Sequence, residues 1–269
     1  MGSWEGTGYN QILLPDFVGG QPFRTLLSAT TETFTFTNDV GAVPNRGEKQ
    51  RDITLSGLRY LQTVKDAGSG ETLHVEPGFF LAVPATAAPH REPSIVRQAT
   101  VPHGVSFVMQ GRGFVVPTPL FEPASVAPTR VDGGGILGYD DPGATPLPAG
   151  IANPEAATNP NVLLTDALAA GAARGERVLS SVVIDVATGP NADGAGIANV
   201  AFLQPGGPGA TSPANNAAVV RVSSVFWVER IELPGGAHAL QLQYSQTVVL
   251  NFGGINWPHV SVATLRKAA

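Results

Sequence analysis

The chain has 269 residues, a formal net charge of −5 and no cysteine. Its 32 glycines and 23 prolines make up about a fifth of it, against a charged share of 14% and a hydrophobic share of 43%. That composition describes a packed, turn-rich, helix-poor β protein. It excludes a disulfide framework, a zinc–thiolate site and a thiol nucleophile. The acidic balance removes the electrostatic basis for binding nucleic acid. No apolar run approaches the ~18 residues of a membrane helix. No basic segment followed by an apolar run opens the chain. The expectation is a soluble, cytoplasmic protein with neither nucleic acid nor membrane as partner.

In chain order, Thr33-Phe34-Thr35-Phe36-Thr37 alternates polar and aromatic residues, the mark of a half-buried strand. Ile53 to Tyr60, Gly78 to Val83, Val105 to Gln110 and Val182 to Val186 read as further strands, several apolar on both faces. From Val219 a long run reaches Leu233, turns at Pro234-Gly235-Gly236 and resumes at Ala239, which predicts a long hairpin. In its second arm Leu240, Leu242, Tyr244, Val248, Leu250 and Phe252 share one face. Gln241, Gln243, Ser245, Thr247 and Asn251 share the other, as in the wall of an antiparallel barrel. A last strand, Trp257 to Leu265, is placed to pair with the first and close it.

Residues 113–178 differ in kind, being dense in Pro, Gly and Ala, and read as a mostly irregular insertion on one domain spanning 1–269. One short helix is expected near 160–170, with Asn159 as cap, Pro160 at the first helical position and Gly171 as stop. Gly133 to Gly138 satisfies G-x-G-x-x-G, but without the strand before and helix after that a pyrophosphate site needs. The turn that follows it, with Asp140-Asp141, reads as a solvated loop.

With no cysteine, imidazole is the side chain suited to metal, haem or near-neutral proton work. His90 and His238 sit in polar loops. His74 lies in Leu73-His74-Val75-Glu76-Pro77-Gly78-Phe79, His103 in Val101-Pro102-His103-Gly104-Val105, and His259 in Trp257-Pro258-His259-Val260-Ser261-Val262. On one strand, His74 and Glu76 share a face at i and i+2, where carboxylate and imidazole can orient each other, as a structural pair near the barrel rim or a functional one.

Four of these segments resemble, in order, the motifs of the nitrobindin-like haem-binding β-barrels. Gly2-Ser3-Trp4-Glu5-Gly6-Thr7-Gly8 is similar to the family's opening G-x-W-x-G-x-G strand, and His74 to Phe79 to its H-x-E-x-G-[FY] strand. Pro102-His103-Gly104 is similar to its H-P-x-G segment, and His259 to Arg266 to its closing strand. The resemblance covers roughly residues 2–112 and 218–267. This chain departs from it by about a hundred extra residues and by Pro258 directly before His259. The signatures Asn45-Arg46-Gly47, Pro102-His103-Gly104 and Trp257-Pro258-His259 also resemble longer barrel proteins of unassigned function.

The resemblance implies an up-and-down barrel of the lipocalin and fatty-acid-binding kind, with haem as cofactor. His259 would be the axial ligand, and Trp4, Phe107, Trp257 and His74 would line the haem site, with Phe226 as a further wall. It also implies nitric oxide binding, peroxynitrite isomerisation or peroxidase-like chemistry. Arg46 and Arg59 are cations that could meet a propionate. From the residues themselves, His259 is as readily a hydrogen-bonded structural histidine as a haem ligand, with a general acid/base in a haem-free pocket as the third reading. The alternative is a haem-free isomerase, cyclase or hydrolase acting on a small hydrophobic substrate, with His103 or His259 as acid/base and the insertion as a lid. A third reading is an interaction module presenting the insertion. A homodimer is the candidate assembly.

Overall fold

A computed structural model of the chain describes all residues except 17–18, 21–22, 103, 134–144, 190–195, 200–217 and 269. The strands, in chain order, are β1 (Gly2–Leu14), β2 (Arg24–Asn45), β3 (Ile53–Asp66), β4 (Thr72–Val83), β5 (Thr86–Ala87), β6 (His90–Arg91), β7 (Ser94–Thr100), β8 (Val105–Val116), β9 (Thr129–Arg130), β10 (Arg177–Ala187), β11 (Ile197–Asn199), β12 (Ala218–Glu232), β13 (His238–Phe252) and β14 (Ile255–Lys267). Ten of them pair in the order β1-β2-β3-β4-β7-β8-β10-β12-β13-β14, all antiparallel, and β14 returns to β1. The result is a closed, all-β up-and-down barrel with one short helix, as expected from the alternating strands at both ends of the sequence. Among the described residues no helix is long and apolar enough to cross a membrane.

The inner face of one half of the barrel is filled by aromatic side chains delivered at alternate positions. Phe34 and Phe36 lie 5.0 Å apart between centroids, Phe34 and Tyr60 5.2 Å, and Phe80 meets Phe226 edge-on at 5.3 Å. Such offset and edge-to-face pairs add to the area they bury.

A second core lies on the outside of the wall. Tyr9, Leu13, Val183, Trp227, Trp257, Val260 and Val262 face outward, covered by Val126, Ala156 and Leu164 of the connection between β8 and β10. That explains the strands that read as apolar on both faces, since a wall buried from both sides needs no polar face. The connection carries a 3-10 turn at Pro154–Ala157 and the helix α1, Val162–Ala173. Two outward glutamines tie it down. The Gln11 amide donates to Ala157 O at 2.8 Å and that of Gln243 to Leu164 O at 3.0 Å.

Two boundaries differ from expectation. Residues 113–116 and 177–178, read as insertion, belong to β8 and β10. Just before the first of these, Gly111 marks a close approach of strands, not a loop: a Cβ there would lie 1.9 Å from Asp185 O. The helix begins after Asn161, not at Pro160, because Asn159 spends its side chain on the Ala124 amide at 3.0 Å. It runs past Gly171, which is buried within it, and ends where Gly175 takes a positive φ of 83°. Asp140, Asp141 and most of the Gly133 to Gly138 motif lie outside the described residues.

Candidate functional site

Beyond the aromatic half, the barrel interior opens into a cavity of about 390 Å³. Its walls are Ile12, Leu26, Val64, Phe107, Val248 and Leu250, and its polar groups are Asn10, Glu32, Gln62, Tyr244, Gln246 and two histidines. Wider clefts of about 650 and 530 Å³ lie on the outer wall and beneath the β8–β10 connection, both more open to solvent. The interior cavity is the site that combines enclosure, apolar walls and converging polar groups, the usual features of a small-molecule pocket.

His74, on β4, and His259, on β14, both border this cavity. His259 Nε2 lies 2.6 Å from Asn10 Oδ1, and Ser261 Oγ donates to the same oxygen at 2.9 Å. Asn10 therefore fixes the imidazole through a cross-strand contact between β1 and β14. His74 Nε2 sits 3.2 Å from Glu76 Oε2. The Glu76 side chain has no solvent exposure, so this pair belongs to the barrel interior and not to its rim.

Behind His74 lies a buried ionic network. Arg97 on β7 donates to Glu76 Oε1, to Tyr60 OH at 2.8 Å, to Ser224 Oγ at 2.8 Å and to Gln246 Oε1 at 2.6 Å. Tyr60 OH in turn donates to Glu76 Oε1. The guanidinium also lies over the Phe226 ring at 4.9 Å and the Phe107 ring at 5.5 Å. Burial pushes the Glu76 carboxyl up, but Arg97 together with the His74 and Tyr60 hydrogen bonds brings it down to about 2, so it is ionised.

The Glu32 carboxyl is shifted in the opposite direction. Its carboxylate receives Thr30 Oγ1 at 2.9 Å, Gln62 Nε2 at 3.2 Å and Tyr244 OH at 2.7 Å. Burial still raises it, against those hydrogen bonds and the nearby His74, because among the described residues no cation is paired with it as Arg97 is with Glu76. Room for this carboxyl comes from β1. A Cβ on Gly8 would lie 2.6 Å from Glu32 Oε1 and 2.7 Å from Thr30 Oγ1. The G-x-G spacing of the first strand therefore has a local cause in the packing of the site.

Of the residues singled out in the sequence, the structure brings His74, His259 and Phe107 together at the cavity. Trp4 is inside the barrel but packs edge-on against Phe36 at 6.4 Å, in the filled half, as does Phe226. Trp257 is on the outer face of β14, in the core covered by the β8–β10 connection. It does not border the interior cavity, although His259, two residues on, does. Arg46 pairs with exposed Asp52, and Arg59 borders the outer cleft and donates to Thr37, so neither guanidinium borders the cavity. His103 lies outside the described residues, although Val101, Gly104 and Val105 beside it border the cavity.

Glu32, Gln62, Tyr244 and Arg97 were not among the residues singled out. The signal for Glu32 and Gln62 was available in strand parity, since they share the inward face with Phe34 and Tyr60. Among the described residues no group of three or more His, Asp or Glu is arranged to hold a metal ion.

No family model matches the chain, and no curated protein does. Among solved structures it is similar to Rv2717c from M. tuberculosis, at 13% identity and a TM-score of 0.45, over 100% of this chain and 92% of that one.

Proposed function

We propose that the barrel binds a small, largely apolar molecule in its interior, with a hydrogen-bonding head at Glu32, Gln62 and Tyr244. Its body would lie against Ile12, Leu26, Val64, Val248 and Leu250. The observation that carries this reading is the cavity of about 390 Å³ in which those apolar walls lead to buried polar groups. Titration with the neutral fluorophore 1-aminoanthracene tests it. The expected result is saturable enhancement that Val248→Trp weakens at least about tenfold, the scale of losing the burial of a few carbons, with little change in Tm. Enhancement unchanged by both Val248→Trp and Val64→Phe would overturn the reading.

A second reading is favoured by His259. Its ring borders the cavity and is oriented by Asn10 at 2.6 Å, the kind of outer contact that holds a metal-ligating imidazole. That donor and the apolar walls fit a haem, which His259 would hold and Phe107 and Leu250 would flank. When bound, haem would supply gas-binding or peroxide chemistry. Hemin titration tests this reading. It expects a Soret shift that His259→Ala abolishes. A shift that survives this substitution, or none at all, would contradict it.

A further inference from the structure

We propose that Glu32 and His74 form an acid–base pair that moves a proton α to a carbonyl group on an apolar ligand held in the cavity; this rests on the interior-binding reading above. The pair is set by strand register. Glu32 on β2 is opposite Val64 on β3, and Val64 is opposite His74 on β4. The three residues therefore form one row on the inner face, with Glu32 and His74 separated by two strand spacings, roughly 10 Å of backbone. Both side chains border the cavity, with Val64 as the floor between them.

The two carboxylates near this row are prepared differently. Glu76 is locked as an anion by Arg97 and holds the imidazole of His74 at 3.2 Å through Nε2. A carboxylate at Nε2–H makes Nδ1 the basic nitrogen and stabilises the imidazolium that forms when it takes a proton, the role of the third member of a catalytic triad. Among the described residues Glu32 has three hydrogen-bond partners and no paired cation, and burial favours its neutral form. A neutral carboxylic acid in an apolar site donates to a carbonyl oxygen, and carboxyls with opposite environments are the usual mark of such a division of roles. His74 is reachable, its side chain being 22% exposed, and Gly8 leaves the space that the Glu32 carboxyl occupies.

The chemistry is balanced without any oxidant, reductant or co-reactant. His74 takes the proton from the carbon α to the carbonyl, and the C–H electron pair becomes the new C=C bond. The carbonyl π pair moves to oxygen, which takes the Glu32 proton. Reversal returns a proton to the same carbon, giving exchange, or to the far end of a conjugated system, giving a shifted double bond. The substrate class is a small apolar ketone or enone.

The test uses the full chain and β-tetralone, an apolar ketone with acidic α-hydrogens, in D2O. Proton NMR follows the loss of the α signals, and displacement of 1-aminoanthracene reports binding. The expected result is exchange faster than in buffer, reduced roughly 10²-fold by His74→Gln and by Glu32→Ala. Glu32→Gln, which keeps a donor, should retain more of it than Glu32→Ala, the rates being compared at saturating β-tetralone so that weaker binding is separated from lost exchange. Wild-type protein that binds β-tetralone without accelerating exchange would overturn the pair whatever the variants do. Binding of 1-aminoanthracene that β-tetralone does not displace would overturn the substrate class. Failure of 1-aminoanthracene itself to bind would overturn the interior-binding reading and this inference with it.

Discussion

Arg97 and Glu76 form an ion pair in which neither side chain has any solvent exposure, between adjacent strands β7 and β4 in the middle of an aromatic barrel core. Desolvating two charges is expensive, and the pair is tolerated because Tyr60, Ser224, Gln246 and His74 satisfy the remaining donors and acceptors. Removing one partner leaves the other buried and uncompensated. Arg97→Met is expected to cost about 3–5 kcal/mol, read as a fall in Tm on the order of 10 °C for a domain of this size. The Glu76→Leu/Arg97→Met double variant should recover part of that loss. Additive losses in the double variant would show that the two side chains are not coupled.

The same pair sets an acid limit. The Glu76 carboxyl is lowered from 4.5 to about 2, so its contribution is present above the unfolded value and lost as pH falls from 4.5 toward 2. Denaturant midpoints between pH 5 and 2 should fall for the wild type. Glu76→Gln should start lower at pH 5 and decline less steeply. Equal slopes would contradict the assignment.

Glu229 behaves in the opposite sense. It is fully buried on β12, accepts from Gln241 at 2.6 Å, and burial raises its carboxyl to about 7 against Gln241 and nearby Arg266. The folded state therefore holds a proton that the unfolded chain has lost, and stability falls as pH rises between 4.5 and 7. The full span is on the order of 3 kcal/mol. Glu229→Gln should flatten that limb and stabilise the protein at pH 8 relative to wild type. An unchanged difference in Tm between pH 5 and pH 8 would count against it.

The cover over the outer wall is separately testable. Phe121 meets Trp227 edge-on at 4.8 Å, and Leu164 is buried against the same core. Leu164→Ala is expected to cost about 2–5 kcal/mol, although it lies off the barrel. Phe121→Ala should shift tryptophan emission to the red while leaving 1-aminoanthracene binding within about twofold, because the cover and the cavity are on opposite faces of one wall. A loss of interior binding in Phe121→Ala would show that the two faces are not independent.

The barrel was legible where residues alternate. Phe34 and Phe36, the long hairpin around Pro234-Gly235-Gly236, and the closing strand all declared their face and their partner by period two. The C-terminal end of β8 was not, because Gly111, which serves a close cross-strand approach, and Gly113 read as loop composition. Trp257 illustrates the larger ambiguity. A buried tryptophan signals a core, but in a wall covered on both sides sequence period alone does not say which core. His259, one strand away from Asn10, and His74, beside Glu76, were visible as imidazoles in specified contexts. Glu76 was read beside His74, but Asn10, Glu32, Gln62 and Arg97 were not, since it is cross-strand pairing, not local spacing, that carries them to the cavity and the buried network.

The central claim is that ligand enters the inner cavity of the barrel. It is tested most directly by nuclear Overhauser contacts between bound 1-aminoanthracene and assigned methyl groups. The account predicts contacts to Ile12, Leu26, Val64, Val248 and Leu250, all bordering the cavity. Contacts instead to Val116, Leu120 and Val183, which border the cleft beneath the β8–β10 connection, would contradict it.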